Sequence, residues 1–137
     1  MRCITGTHIF WYRLTGGRIG GRMGRIPVLL LTTTGRKSGR SWTTPLSYLE
    51  DEGSFIVIAS AGGSRRHPAW YLNLRSHPGA TIEVPGRTLA VAAETASPEE
   101  KARLWPRITA MYAGYDDYQK RTSRDIPVVL LKPKAEG

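Results

Sequence analysis

Residues 26–50 read IPVLLLTTTGRKSGRSWTTPLSYLE. The stretch opens with nine mostly apolar or β-branched residues, stops at Gly35, and resumes at Ser41 with an alternating run. Two such runs joined by a short polar turn predict an antiparallel pair of strands. Pro45 in the second run marks an edge or a bulge, because it has no N–H to give to a ladder. The turn crowds Arg36, Lys37 and Arg40 around Ser38. Such charges repel one another unless solvent or an anion separates them. A P-loop is excluded, since Gly35 precedes an arginine, no glycine stands five residues earlier, and a strand follows. The turn still offers backbone N–H groups, a hydroxyl and side-chain charges to one phosphate.

The rest of the chain extends this pattern. Thr7 caps a short predicted helix through HIFWYRLT, and a basic glycine-rich connector follows it up to residue 25. After the turn at 51–53, SFIVIAS (54–60) reads as a third strand. A loop then leads to Pro68 and a helix, AWYLNLRS, over 69–76. ATIEV and RTLAVAAETA form a hairpin about Pro85-Gly86. SPEE at 97–100 is a capping box opening a helix over 99–115, with Pro106 as a candidate kink. IPVVLLKP (126–133) is the last strand. Six strands joined largely by short turns predict a mainly β, antiparallel, six-stranded barrel with flanking helices. A length of 137 residues fits a single domain over 1–137.

The net charge of +9 is unevenly spread: before Glu50 there are eight cations and no acid, while the remaining 88 residues are close to neutral. A one-sided field attracts nucleic acid, acidic lipid or a phosphorylated small molecule. The bland alternative is a basic surface kept for solubility. A single cysteine, Cys3, excludes an intrachain disulfide, and His8, His67 and His77 have no metal-ligand spacing, so no metal is expected. No apolar run approaches the ~18 residues of a membrane span. The opening MRCITGTHIFWYRL lacks a secretory pattern, so a cytoplasmic protein is expected.

Two further stretches have the residue types of a site. In IASAGGSRRHPAWYLNL (58–74), paired glycines after a strand let the backbone approach a ligand closely, and Trp70, Tyr71 and Asn73 follow on a helix. Against this, Trp70 and Leu74 at i and i+4 also suit a core face, and His67 reads as a loop residue. In MYAGYDDYQ (111–119), Tyr112, Tyr115 and Tyr118 recur every three residues and fall along one slowly drifting helical face. Phenols, protonated at neutral pH, suit an apolar pocket that needs proton donors; packing is the alternative.

Together LLLTTTGRKSGR, TTPLSYL, IASAGGSRRHPAWYLNL, LWPRITAMYAGYDDYQKRT and the closing strand resemble the deazaflavin (coenzyme F420)-dependent nitroreductase and quinone reductase family, from residue 12 to 133. The resemblance implies a split β-barrel of the FMN-binding-like type. It implies that the coenzyme's phosphate and acidic tail lie on Arg36, Lys37 and Ser38. The deazaflavin ring would lie against Trp42, Thr43, Thr44, Pro45, Leu46 and Ser47, then Ile58, Ala59, Ser60 and Ala61, then Ala69, Trp70, Tyr71, Asn73 and Tyr115. Tyr48, Tyr112 and Tyr118 would line the substrate side, with Tyr112, Tyr115 and Ser60 as hydroxyl donors. The implied reaction is hydride transfer to a quinone, nitroaromatic or enone, with no nucleic acid as partner and a monomer or weak dimer as the working form. In the nitroreductase branch basic residues stand at the positions of Trp42 and Ala61; here Arg40 and Arg65 or Arg66 are placed to compensate. Two rivals remain at this level: a split barrel holding FMN, and a basic nucleic-acid-binding barrel, which lacks any recognised RNA-binding signature. Residues 8–14 beside the basic connector also suit peripheral contact with an anionic membrane, as well as a helix capping the barrel.

Overall fold

The computed structural model of the chain describes residues 22–23 and 26–134. The expected helix at 7–14 and most of the connector lie outside the described residues. The strands are β1 (Arg22–Met23), β2 (Ile26–Thr34), β3 (Ser41–Ser47), β4 (Leu49–Asp51), β5 (Ser54–Ile58), β6 (Gly79–Val84), β7 (Arg87–Thr95) and β8 (Val128–Pro133). The helices are α1 (Ala69–Ser76), α2 (Pro98–Met111) and α3 (Gly114–Arg121).

Every strand pair is antiparallel, in the order β1-β2-β6-β7-β8-β5-β4, with β3 on the other side of β2. The run expected as one strand over 41–50 is broken at Tyr48, and its halves take different partners. β3 pairs with β2 and β4 pairs with β5, so the ends of the hydrogen-bonded path are joined covalently through Tyr48. The Tyr48 N–H leaves the ladder and donates to the Pro27 carbonyl at 3.1 Å. A strand that turns a barrel corner bends in this way. The result is a split β-barrel.

The apolar runs of β5 and β8 do not alternate, because both of their faces are covered. Phe55, Val57, Val129 and Leu131 face an interior cluster with Leu29, Leu31, Ile82, Val91, Trp70, Tyr71 and Leu74. Ile56, Ile58, Val128 and Leu130 face outward, under Leu104 and Ile108 of α2 and Tyr115 of α3. α1 therefore plugs the barrel interior, while α2 and α3 shield its outer wall.

The predicted helix over 99–115 is two helices, and the break falls at Tyr112 rather than at Pro106. Tyr112 is extended (φ −154°, ψ 107°). Its ring folds back over Gly114, where a Cβ would collide with it. The capping box at the start of α2 is formed: Ser97 Oγ accepts from the Glu100 N–H at 3.2 Å, and Glu100 Oε1 accepts from the Ser97 N–H at 2.9 Å. Replacing Ser97 by alanine is expected to lower stability by about 1 kcal/mol. Urea unfolding would show this as a lower midpoint with an unchanged slope.

Candidate functional site

The basic turn is built by close backbone approach. The Gly35 N–H donates to the Arg40 carbonyl at 2.7 Å, and the Gly39 N–H to the Gly35 carbonyl at 2.9 Å. Gly39 has φ +74°, which favours glycine. A Cβ on Gly35 would stand 2.7 Å from Trp42 Nε1, so a side chain there would displace the indole. Asn73 of α1, only 4% exposed, anchors the turn. Its Oδ1 accepts from the Arg36 backbone N–H at 3.1 Å and from Arg36 Nη1 at 3.2 Å. Its Nδ2 donates to Thr33 Oγ1 on β2 at 3.2 Å.

Beside this turn lies a groove of about 430 Å³, lined by Gly35, Arg36, Lys37 and Ser38 of the turn, by Trp42, Thr43 and Thr44 of β3, and by Ala69, Trp70 and Asn73 of α1. Its walls are largely apolar and its mouth is cationic, the form of a small-molecule site with few orienting polar groups. Asp51, Glu94, Asp116 and Asp125 each hold a basic partner elsewhere. Among the described residues no carboxylate pairs with Arg36, Lys37 or Arg40.

Pro45, Leu46 and Ser47 continue β3 away from the groove, half-buried. Ser47 Oγ lies 2.6 Å from Tyr115 Oη, so a single strand links the groove to the tyrosines. From Thr44 to Ser47 is three residues, roughly 10 Å of extended chain. The rings of Tyr112, Tyr115 and Tyr118 form a cluster with centroids 5.2–6.0 Å apart. Tyr112 Oη lies 3.2 Å from Tyr118 Oη. Tyr112 is 41% exposed, whereas Tyr115 is buried. Burial pushes the Tyr115 phenol above its ordinary pKa, and the hydrogen bond with Tyr112, with burial second, does the same for Tyr118. Both keep their protons at neutral pH.

Several expected positions differ from this lining. Tyr71 is turned into the interior, its Oη 2.9 Å from Thr95 Oγ1, because it sits one residue round the helix from Trp70. Tyr48 is buried against Phe55 with ring centroids 5.7 Å apart, on the interior side of the bend that carries it. Ile58 belongs to the outer cluster under α2 and α3, and Ala59 to the interior one. Ser60 is buried, and Ala61 is exposed with φ +46°.

One residue of this region is absent from the sequence reading. Arg124, just before β8, donates from Nε to the Ser64 carbonyl (2.8 Å), from Nη1 to the Ala59 carbonyl (3.2 Å), and from Nη2 to the Ser60 carbonyl (2.6 Å). Nη1 also lies 3.0 Å from His67 Nδ1. A cation in the polar stretch RTSRD gives no sign in sequence that it turns inward.

Among the described residues no helix is long and apolar enough to cross a membrane, and no cluster of metal-ligating side chains occurs. The barrel and its cationic groove define a split-barrel protein with a small-molecule groove whose charge favours anions. The sequence model of the F420H(2)-dependent quinone reductase family matches residues 5–133, and the chain belongs to that family, which makes it an F420-dependent oxidoreductase. It is 44% identical over 124 residues to the F420H(2)-dependent quinone reductase Rv1261c of Mycobacterium tuberculosis, covering 88% of this chain and 83% of that one. A solved F420-H2 dependent reductase, FDR-A, superimposes with a TM-score of 0.71 at 34% identity, over 77% of this chain and 94% of the other. A structure described as a domain-swapped dimer gives a TM-score of 0.73 at 30% identity, over 96% and 100%. The residues lining the groove fit the family's coenzyme: Arg36 and Lys37, which no carboxylate among the described residues pairs, suit its acidic part, and the apolar wall suits its ring.

The Arg124 contact predicts a pH effect. Arginine has no acceptor, so His67 Nδ1 must carry no proton and the imidazole is neutral. Burial first, then Arg124 and Arg75, hold its pKa below the ordinary value. The unfolded chain therefore binds the extra proton first as pH falls, and stability drops below about pH 6.5. The urea midpoint is expected to decline from about pH 7 to about pH 5, and to decline less in His67→Gln.

Proposed function

We propose that this chain reduces quinones with F420H2 held in the groove between the basic turn and α1. The observation that carries the reading is the basic turn itself: Asn73 pins Arg36, which with Lys37 lines the mouth of an apolar groove, and among the described residues neither has a carboxylate partner. Arg36, Lys37 and the hydroxyl of Ser38 bind the coenzyme's phosphate and acidic tail, replacing the mutual repulsion of the cations with charge-assisted hydrogen bonds. Ala69 and Trp70 form one wall for the ring, and Thr43 and Thr44 the facing one. When bound, the reduced deazaflavin would supply a hydride, one hydrogen nucleus with two electrons, to the electrophile.

The protein's own part is placement and proton delivery. The tyrosine cluster lies at the far end of β3 from the cations, so an acceptor on Tyr112, Tyr115 and Tyr118 meets the ring along that strand. Negative charge grows on the quinone oxygen as reduction proceeds, and a protonated phenol hydrogen-bonds that oxygen and then releases a proton to it. Exposed Tyr112 links such a donor to solvent. Ser60, buried and with its backbone carbonyl held by Arg124, offers a second hydroxyl. Nitroaromatic and enone acceptors fit the same chemistry. A small-molecule electrophile is thus the partner proposed, with peripheral membrane contact resting on residues 8–14 alone.

Fluorescence titration with oxidised F420 tests the binding half. Each of Arg36→Ala and Lys37→Ala is expected to weaken binding by about 1–3 kcal/mol. Equal affinity in the double variant would sink the proposal. For the proton donors, Tyr115→Phe and Tyr112→Phe are expected to lower menadione turnover, by up to ~10²–10⁴-fold for the residue that delivers the proton. An unchanged rate in both removes them from the mechanism.

A further inference from the structure

The loop from Ala59 to Pro68 leads into α1, which lines the groove, and its backbone is strained. Ala61 has φ +46° and Gly63 φ +81° around a single turn of 3₁₀ helix, Ala61–Gly63. A left-handed alanine persists only where its surroundings over-determine it. Here the carbonyls of Ala59, Ser60 and Ser64, on either side of that residue, converge on the guanidinium of Arg124.

The same arginine is fixed from the tyrosine side. Its own carbonyl accepts from Gln119 Nε2 of α3 at 2.9 Å, and Gln119 Oε1 accepts from the Ile126 N–H at 3.0 Å. The loop also touches α3 directly, since a Cβ on Gly63 would stand 2.9 Å from the Tyr118 carbonyl. At its other end the loop runs through Pro68 into α1, whose Ala69, Trp70 and Asn73 line the groove.

We propose that Arg124 is a positioning residue for the transfer step, setting the distance between the coenzyme groove and the tyrosine cluster. The assignment rests on the reading of the groove given above. A planar fork with five N–H groups reaches three carbonyls and an imidazole at once, which a lysine nitrogen does not. Loss of the fork lets the strained loop relax, and α1 then shifts relative to α3. The basic turn keeps its contact with α1, because Asn73 joins the two without the loop.

The test compares the parent with Arg124→Lys and Arg124→Gln by F420 titration, menadione kinetics and thermal melting. The expected result is an F420 Kd within about threefold of the parent, with kcat lower by about ten- to a hundredfold well below Tm, the scale of an ångström-sized misplacement. Added guanidinium ion is expected to restore part of the kcat of Arg124→Ala. A lower Tm with unchanged kcat, an equal loss of Kd and kcat, or failure of both substituted chains to fold would make Arg124 a structural staple and overturn the proposal. If the parent itself does not bind F420, the groove reading falls instead, so the two failures are distinguishable.

Discussion

The side-chain amide of Asn73, almost wholly withdrawn from solvent, accepts two N–H groups of Arg36 and donates to Thr33, and this joint decides where the positive charge of the basic turn must lie. A buried amide left without partners costs about 1–3 kcal/mol. Asn73 is satisfied when the turn lies against α1, which brings Arg36 and Lys37 to the groove mouth. Gathered there, they repel one another. On the proposed reading, an anionic coenzyme would turn that repulsion into attraction, and the same field would hasten its capture.

The remainder of the fold makes this placement rigid. β3 carries Thr43 and Thr44 at the groove and Ser47 at the tyrosines, and it stays straight enough to do so because the barrel corner is deferred to Tyr48. Burial of both faces of β5 and β8 fixes the opposite wall. Trp70 and Leu74 illustrate how one helix serves two ends: Leu74 packs in the interior, while Trp70 both packs and lines the groove. Sites carried on strands and helices are held more precisely than sites carried on loops; the basic turn is held by Asn73, and the loop from Ala59 to Pro68 that leads into α1 is held by Arg124.

Much of this was legible in the chain. The strands around the basic turn, the helix at 69–76 and the capping box at Ser97 rest on local signals, namely apolar patterning, Pro68 and a Ser-x-x-Glu spacing, and local signals survive folding. The misplaced features all depend on tertiary geometry. Tyr48 looked like part of a strand because nothing in its neighbours announces a change of partner. Tyr112 looked helical because its departure from the helix serves a ring contact over Gly114. Tyr71 packs in the interior and Trp70 also lines the groove, because adjacent helical residues face different ways. Arg124 was invisible because its acceptors are backbone carbonyls some sixty residues earlier, which no side-chain pattern records. The FMN and nucleic-acid readings that the sequence left open give way to membership of the F420H(2)-dependent quinone reductase family.

A crystal structure of the chain with oxidised F420 bound tests the central claim most directly. The expected result is the coenzyme's phosphate within hydrogen-bond distance of Arg36 and Lys37, the Asn73 joint intact, and the ring against Ala69 and Trp70. A phosphate seated elsewhere, on Arg65 and Arg66 for instance, with the basic turn facing only solvent, would contradict it.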